Sequence, residues 1–445
     1  MRAGPLAATI RPLSEIEERV SDAVAERRHE LAELVQTLIR FDTVTHVAGA
    51  SPREEAAAQE FLAERLRAAG ADATVAEPDP ALVAGHRMIP EGFEFVGRPQ
   101  LVARFTGGGG GRTLLLNGHV DVVAPEPVDA WRHEPFAGVV EDGAVHGRGA
   151  CDMKGGVACI VVAAEALARC GVRLDGDLLV NVVTDEESTG AGGLVSALTL
   201  EADGAIVTEP TGLDVWIACR GSVLPRIVIE GRAGHAGIAR RHPDDGGPVN
   251  AIEKAALVLD AIRRLREEWA LHPRHPYLSA PDCVPTIIRG GEWLVSHPAS
   301  CTLDCHVEYL PRQADAEGWG SEVEREFVQW IRRAADADPW LATHPPRVEW
   351  AVGAVPPAEV PADDPVVEAT LGAARATGID SRLGGFDNWH DGATLTVEGG
   401  IPAICFGPGE IHLAHTVSES VPIADLIACA QALAVAAIRF CGGRE

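Results

Sequence analysis

The sequence predicts an α/β protein: a discontinuous domain with a mostly parallel sheet flanked by helices, interrupted by an inserted α+β domain. Three observations predict it. Between about residues 101 and 219, apolar strand-like runs alternate with helical stretches, the rhythm of a βα sheet. From Ser222 to about Trp350 the pattern changes to alternating strands and two long helical stretches, as in an antiparallel α+β unit. His415, a side chain of the same chemical kind as those ending the early strands, lies beyond that insert, so the two chain ends must fold together. The expected division is 1–219 and 354–445 for the discontinuous domain and 220–353 for the insert.

In chain order, Ser14 and Glu17 form a capping box ahead of one helix with the apolar stripe Val20, Val24, Leu31, Leu34, Val35 and Leu38. A second box, Ser51 to Glu54 with Pro52 at the first helical position, opens a helix that Gly70 closes. The strands LVARF, TLLLNG, LLVNVV and GAIVT follow, with a helix over 156–169. Glycines 107–111 precede a strand, not a helix, which predicts a hairpin or flexible loop and not a phosphate cradle. The insert contains the strands LPRIVIEG, CTLDCHVEYLP and RVEWAV and helices over 248–271 and 316–337. The Pro-rich segment 354–365 reads as a linker, followed by a helix, the buried strand IPAICFG and a last helix over 423–440.

Composition narrows the class of function. The chain has 445 residues, 46% of them apolar, and a mean hydropathy near zero, enough for an ordinary core. Its 38 basic and 65 acidic residues give a net charge of −27, which repels phosphate backbones and anionic membrane surfaces, so neither nucleic acid nor membrane is an expected partner. The apolar patch PLAATI is too short for a signal peptide, and VACIVVAA is too short to span a bilayer. Ten cysteines among aliphatic neighbours read as buried free thiols, Cys301 and Cys305 included, and the expected compartment is the cytoplasm.

The chemistry lies at strand ends. His119 and Asp121 close LLLNGHVD, Glu186 and Glu187 follow LLVNVV, Glu209 follows GAIVT, Asp152 sits in the bend GRGACDMKGG, and His415 lies in HLAHTVSES. Such loops at the carboxyl ends of parallel strands are where open α/β sheets build their sites. His119 and Asp121, two apart, share a face, so the carboxylate can orient an imidazole that binds a metal. The bend around Asp152 lacks the phosphate-loop spacing and suits a bridging carboxylate. Glu186 and Glu187 face opposite ways in extended backbone and can divide the work of ligand and proton shuttle. Asp152, Glu187 and Glu209 bring three negative charges and His119 and His415 none, so two divalent ions leave the set about one charge positive, suited to a carbonyl oxygen. A water between them would ionise near neutrality, with Glu186 placed to take its proton. Nitrogen and oxygen donors without thiolate suit Zn²⁺, with Mn²⁺ or Co²⁺ as alternatives.

The ordered series HVD, GRGACDMKGG, DEES, TEPT, GHAG, FGPG and AHT, from about residue 110 to the C-terminus, resembles the M20 metallopeptidase family. The resemblance implies a metal-dependent amidohydrolase, of the deacetylase, desuccinylase, aminoacylase or carboxypeptidase kind, acting on a small-molecule amide such as an N-acyl amino acid. It implies that Asp152 bridges two ions, that His119 and Glu209 complete one site and Glu187 and His415 the other, and that Glu186 is the general base. It also implies a cis peptide after Asp152. The insert resembles the family's lid or dimerisation domain, which implies a homodimer and gives His235, in GHAG, an oxyanion-stabilising role. The pattern AHT selects His415 over His412.

Two departures bear on substrate. Many relatives carry a carboxylate-binding arginine before the LP dipeptide of the lid, where this chain has Glu308. A neutral or cationic group is then expected there, unless Arg289 or Arg382 substitutes. FDNWHDGA replaces a shorter motif and makes Asp391 and His390, with Asp387 and Trp389, candidates for shaping the substrate pocket. Dipeptidase or carboxypeptidase activity, hydrolysis of a formamide, carbamoyl or arylamine bond, and a non-catalytic metal-binding regulator remain the alternatives.

Overall fold

A computed structural model describes residues 11–45, 53–238, 241–272 and 274–444. The chain divides into two compact units. One comprises the described residues of Met1–Ile217 with Glu359–Gly385 and His390–Glu445; the other comprises Ala218–Ala358 with Phe386–Trp389.

The first unit is built on a nine-stranded mixed sheet. Its centre is parallel: Leu114–His119 lies between Leu178–Val183 and Gly204–Val207, and the latter pairs with Ala403–Cys405. Its margins are antiparallel, through Asp72–Ala76 and Gln100–Phe105 on one side and Val215–Cys219 on the other. Every residue of Leu114–His119 and Leu178–Val183 is buried, as expected of strands covered on both faces. The first of these strands ends in His119 and the second leads into Glu186 and Glu187, so those side chains are set by fully buried backbone.

Several elements differ from the sequence expectation. The first helix is two, Glu15–Ala25 and Arg28–Arg40, because the chain turns at Glu26 and Arg27; the Ser14 and Glu17 capping box is present. The expected box at Ser51 and Pro52 lies outside the described residues; the helix there is Glu55–Ala68, and Gly70 follows its end at φ 99°. Glycines 107–111 make no hairpin, since Leu178–Val183 lies between the strands they connect. They pass close over a neighbouring turn: a Cβ on Gly107 would lie 2.3 Å from the Gly176 carbonyl oxygen. The Pro-rich segment 354–365 is not a free linker, because Ala354 and Val360 are buried and Ala358–Glu359 adds a short strand to the sheet edge. The helix Ile423–Cys441 is long and apolar enough to cross a membrane, but most of it is buried, packed on Gly155–Arg169 and Pro365–Ala376.

The second unit is an antiparallel sheet with two helices. Ser300–Tyr309 is its central strand, with alternate residues buried, so Cys301 and Cys305 share the inner face with Leu303 and Val307 as thiols. Val258, Ile262, Leu265 and Trp269 of the helix Ala251–Trp269 form one stripe against the same core as Phe327 of Ser321–Ala335. The edge strand Asp282–Gly290 was not anticipated; Pro285 and a register shift between Pro285 and Ile287 mask its alternation.

Candidate metal centre

One strand end and four loops of the first unit bring the predicted donors together. His119 ends the central strand, Glu187 follows the strand Leu178–Val183, and Glu209 follows Gly204–Val207. Asp152 occupies a bend with non-helical φ −119° and ψ 93°, entered through Gly149 at φ 82°, and the Asp152–Met153 peptide is cis. Gly149 is required by space as well as by conformation: a Cβ would lie 2.6 Å from Val122 Cγ1. His415 lies in the loop after Ile411–Leu413, itself at φ 60°.

The two oxygens of Asp152 point to different partners. Oδ1 is 3.2 Å from His119 Nε2, which is 3.6 Å from Glu209 Oε1. Oδ2 is 3.2 Å from His415 Nε2, which is 3.0 Å from Glu187 Oε2. His119, Asp152 and Glu209 therefore form one donor group and Asp152, Glu187 and His415 a second, each with its atoms within 4.8 Å of one another. Donors about 2.0–2.1 Å from a tetrahedral cation stand roughly 3.3 Å apart, so these spacings suit a small divalent cation in each group.

The electrostatics point the same way. Burial, reinforced by neighbouring carboxylates, drives Glu186, Glu187 and Glu209 above the usual carboxylate range. His415 is raised to about 10 by its hydrogen bonds to Asp152 and Glu187, and His119 is raised despite complete burial, chiefly by Asp152. Burial opposes ionisation of Asp152, but hydrogen bonds from His119 and His415 hold it below its ordinary value. The donor set thus draws in positive charge, and divalent cations fit that demand without thiolate ligands.

Around this set, Asp121 is fully buried. Its carboxylate accepts the backbone N–H groups of Glu186 (3.2 Å) and Glu187 (3.1 Å). The group nearest His119 Nδ1 is not that carboxylate, at 3.7 Å, but the Asp121 carbonyl oxygen at 2.9 Å. Asp121 therefore orients the imidazole through its backbone and the Glu186–Glu187 loop through its side chain. Glu186 lies outside both donor groups, with Oε2 3.9 Å from His119 Nε2. His412 is exposed beside Glu410 and belongs to neither group.

The remaining candidates are distributed differently. His390 is buried as a helix cap, its Nδ1 accepting the Gly392 N–H at 3.0 Å, and burial lowers it to about 3. Asp391 is buried with neither oxygen hydrogen-bonded among the described residues, and burial raises it to about 7. His235 and Glu308 belong to the second unit. His235 is exposed, its Nδ1 accepting the Gly237 N–H at 3.0 Å. Glu308 pairs with Arg220 at 3.0 Å. Arg289 and Arg382 are exposed and bonded to Asp304 and Asp380.

Sequence reasoning missed the charged residues behind the donors. Arg98 pairs with Asp185 immediately before Glu186, and Arg148 pairs with Glu419 at 2.5 Å, all four buried. The available signals were an arginine between the glycines of GRG and a glutamate four residues after His415, neither periodic nor distinctive alone.

Comparison with known proteins gives a consistent result. The model of a family described as Peptidase family M20/M25/M40 matches residues 115–439. N-formyl-4-amino-5-aminomethyl-2-methylpyrimidine deformylase of Halalkalibacterium halodurans is 29% identical over 465 residues, covering 97% of this chain and 99% of that protein. Acetylornithine deacetylase of Myxococcus xanthus is 32% identical over 373 residues, covering 78% and 86%. The crystal structure of aminopeptidase PepT from Bacillus cereus shares the fold, with a TM-score of 0.67 at 21% identity over 93% of this chain and 98% of that one.

Proposed function

The chain belongs to the M20 peptidase family and is a metal-dependent hydrolase of that class, and from this premise we propose that it is a dinuclear amidohydrolase of small N-acyl compounds. The observation that carries the reading is the division of the Asp152 oxygens between two donor groups. In this reading His119 and Glu209 hold one cation, Glu187 and His415 the other, and Asp152 bridges. When bound, divalent cations there, Zn²⁺ by the donor chemistry and otherwise Mn²⁺ or Co²⁺, supply Lewis acidity and an acidified water.

The chain's own residues handle the proton. Glu186 stands beside the donors without joining either group, its backbone anchored on Asp121, and it takes a proton from the attacking water and delivers it to the leaving nitrogen. Because His235 Nδ1 accepts a backbone N–H, its Nε2 carries the hydrogen and can donate to a tetrahedral oxyanion. We assign it that role from the family pattern. Residues 220–353 are proposed as the lid. A homodimer through this unit is supported by its edge strand Asp282–Gly290 and the exposed Ile288, Trp293 and Leu294. The expected location is cytoplasmic, in keeping with ten free cysteines.

One observation favours a formamide within the class. Arg220, the cation beside Glu308, already spends Nε and Nη2 on the Asp387 carbonyl oxygen, at 3.0 and 2.6 Å, and Nη1 on that of Ala280, at 3.2 Å. Among the described residues, the arginine beside Glu308 is thus already engaged by backbone carbonyls and by Glu308 itself, which favours a neutral or basic amine over a carboxylate-bearing one. The relative with the broadest coverage described above is a deformylase of such an amine.

The test measures bound metal and hydrolysis of N-formyl amines, N-acetyl amino acids, dipeptides and carbamoyl compounds by wild type and Glu186→Gln. The variant should keep its metal and lose about 10²–10⁴-fold in rate. A wild type inert on every class would support the non-catalytic regulator instead.

A further inference from the structure

We propose that Arg148 and Glu419 are positioning residues that assemble the donor set before a cation arrives, a proposal that rests on the dinuclear reading above. Both are buried, at 2% and 1% exposure, and Glu419 Oε2 accepts from Arg148 Nη1 at 2.5 Å. The other oxygen, Oε1, accepts the backbone N–H groups of Cys151 and Asp152, each at 3.3 Å. Glu419 thereby grips the peptide that carries the bridging carboxylate.

Arg148 extends the grip to the other two segments. Nη1 reaches the Thr416 carbonyl oxygen, beside His415, at 3.5 Å, and Nη2 reaches that of Ala124, on the loop leaving His119 and Asp121, at 3.4 Å. Its guanidinium lies over the Trp131 ring, 5.0 Å from the centroid. The backbone continues the connection: Gly147 N–H donates to Glu419 O at 3.1 Å, and Ser420–Pro422 pairs antiparallel with Ala144–His146. One ion pair therefore ties together the chains bearing His119, Asp152 and His415.

Two arguments make this more than a structural contact. A buried ion pair is a weak source of stability, since apolar residues of equal volume commonly serve as well, so its presence calls for a geometric reason. His415 supplies that reason. Its side chain is 53% exposed and its backbone sits at φ 60°, so burial does not hold it and its conformation is unfavourable for a residue with a Cβ. Its place opposite Asp152 depends on how the following residues are anchored, and Thr416 and Glu419 are anchored on Arg148.

The experiment strips the full-length chain of metal and titrates it with Zn²⁺ against a competing chelator, well below the melting temperature, with melting recorded in parallel. Wild type should take up two equivalents. Glu419→Ala removes the acceptor for both amides, and its affinity should fall about 10–100-fold, the usual loss when a group supporting metal ligands is removed. Glu419→Gln keeps an oxygen for the amides but leaves Arg148 without its counter-charge; it should melt lower yet recover most of the lost affinity. That separation of affinity from stability is what a purely structural role would not produce. The proposal is overturned if folded Glu419→Ala binds like wild type, or if affinity in Glu419→Gln falls as far as in Glu419→Ala. Should the alanine variant not fold, Glu419→Asp decides in its place, because its shorter carboxylate keeps the charge but not the reach to both amides: affinity lost while melting stays near wild type supports positioning, and affinity kept overturns it. A wild type that binds fewer than two equivalents refutes the dinuclear reading itself, a result distinct from any difference among the variants.

Discussion

Replacing Arg98 with methionine should destabilise the protein more than any single change at its surface. Arg98 is 3% exposed and Asp185 1%, and the guanidinium is the carboxylate's only cationic partner among the described salt bridges. Without it Asp185 keeps the Thr189 hydroxyl as a donor but stays enclosed, where burial and the Asp121 charge already raise both it and Glu55. Breaking a buried pair by removing one member costs about 3–5 kcal/mol, and the close carboxylates argue for the upper half of that range. For a unit of this size each kcal/mol lowers the melting temperature by about 2 °C, so the expected loss is roughly 8–10 °C by scanning calorimetry. Arg98→Met/Asp185→Asn, which removes both charges, should recover much of it, and the cycle of four proteins isolates the pair. A single variant melting within about 2 °C of wild type, or a double variant no better than the single, would refute the reasoning.

Three further outcomes are expected. Glu30 is held down to about 2 by hydrogen bonds and charge from Arg27 and then Arg65, so it stabilises the folded state above its unfolded value of 4.5 and loses that contribution as pH falls toward 2. The stability gap between wild type and Glu30→Gln should therefore close on acidification between those values; a gap constant with pH would contradict the pairing. Gly193→Ala places a Cβ 1.9 Å from Asp391 Oδ1, and overpacking of this kind should cost about 1–3 kcal/mol in urea unfolding, against no change if Asp391 moves freely. Chelation should lower the melting temperature and added Zn²⁺ restore it, by about 4 kcal/mol at a thousandfold excess over Kd; an unchanged melt would count against resident cations.

His119, Glu186, Glu187 and Glu209 were legible because each ends or follows an apolar run that reads as a buried strand, and a strand fixes where its last side chain goes; Asp152 and His415 were legible only from the motifs around them. Leu114–His119 and Leu178–Val183 have no exposed residue, so His119 and the loop of Glu186 and Glu187 emerge at one edge of the sheet. The antiparallel margins, the strand Asp282–Gly290 and the break at Arg27 were not legible, since local pattern does not report pairing partners and is interrupted by Pro285.

The amino-acid sequence by itself determined the chemical inventory: five nitrogen and oxygen donors, a neighbouring glutamate and a glycine-rich bend, because these follow from residue type and strand ends. Only the tertiary structure decided that Asp152 divides its oxygens between two groups, that the Asp121 carbonyl faces His119, and that Arg148 and Glu419 meet across 271 positions. The physical reason is that a buried charge is satisfied by whichever partner the fold brings near, and no periodicity along the chain encodes that distance.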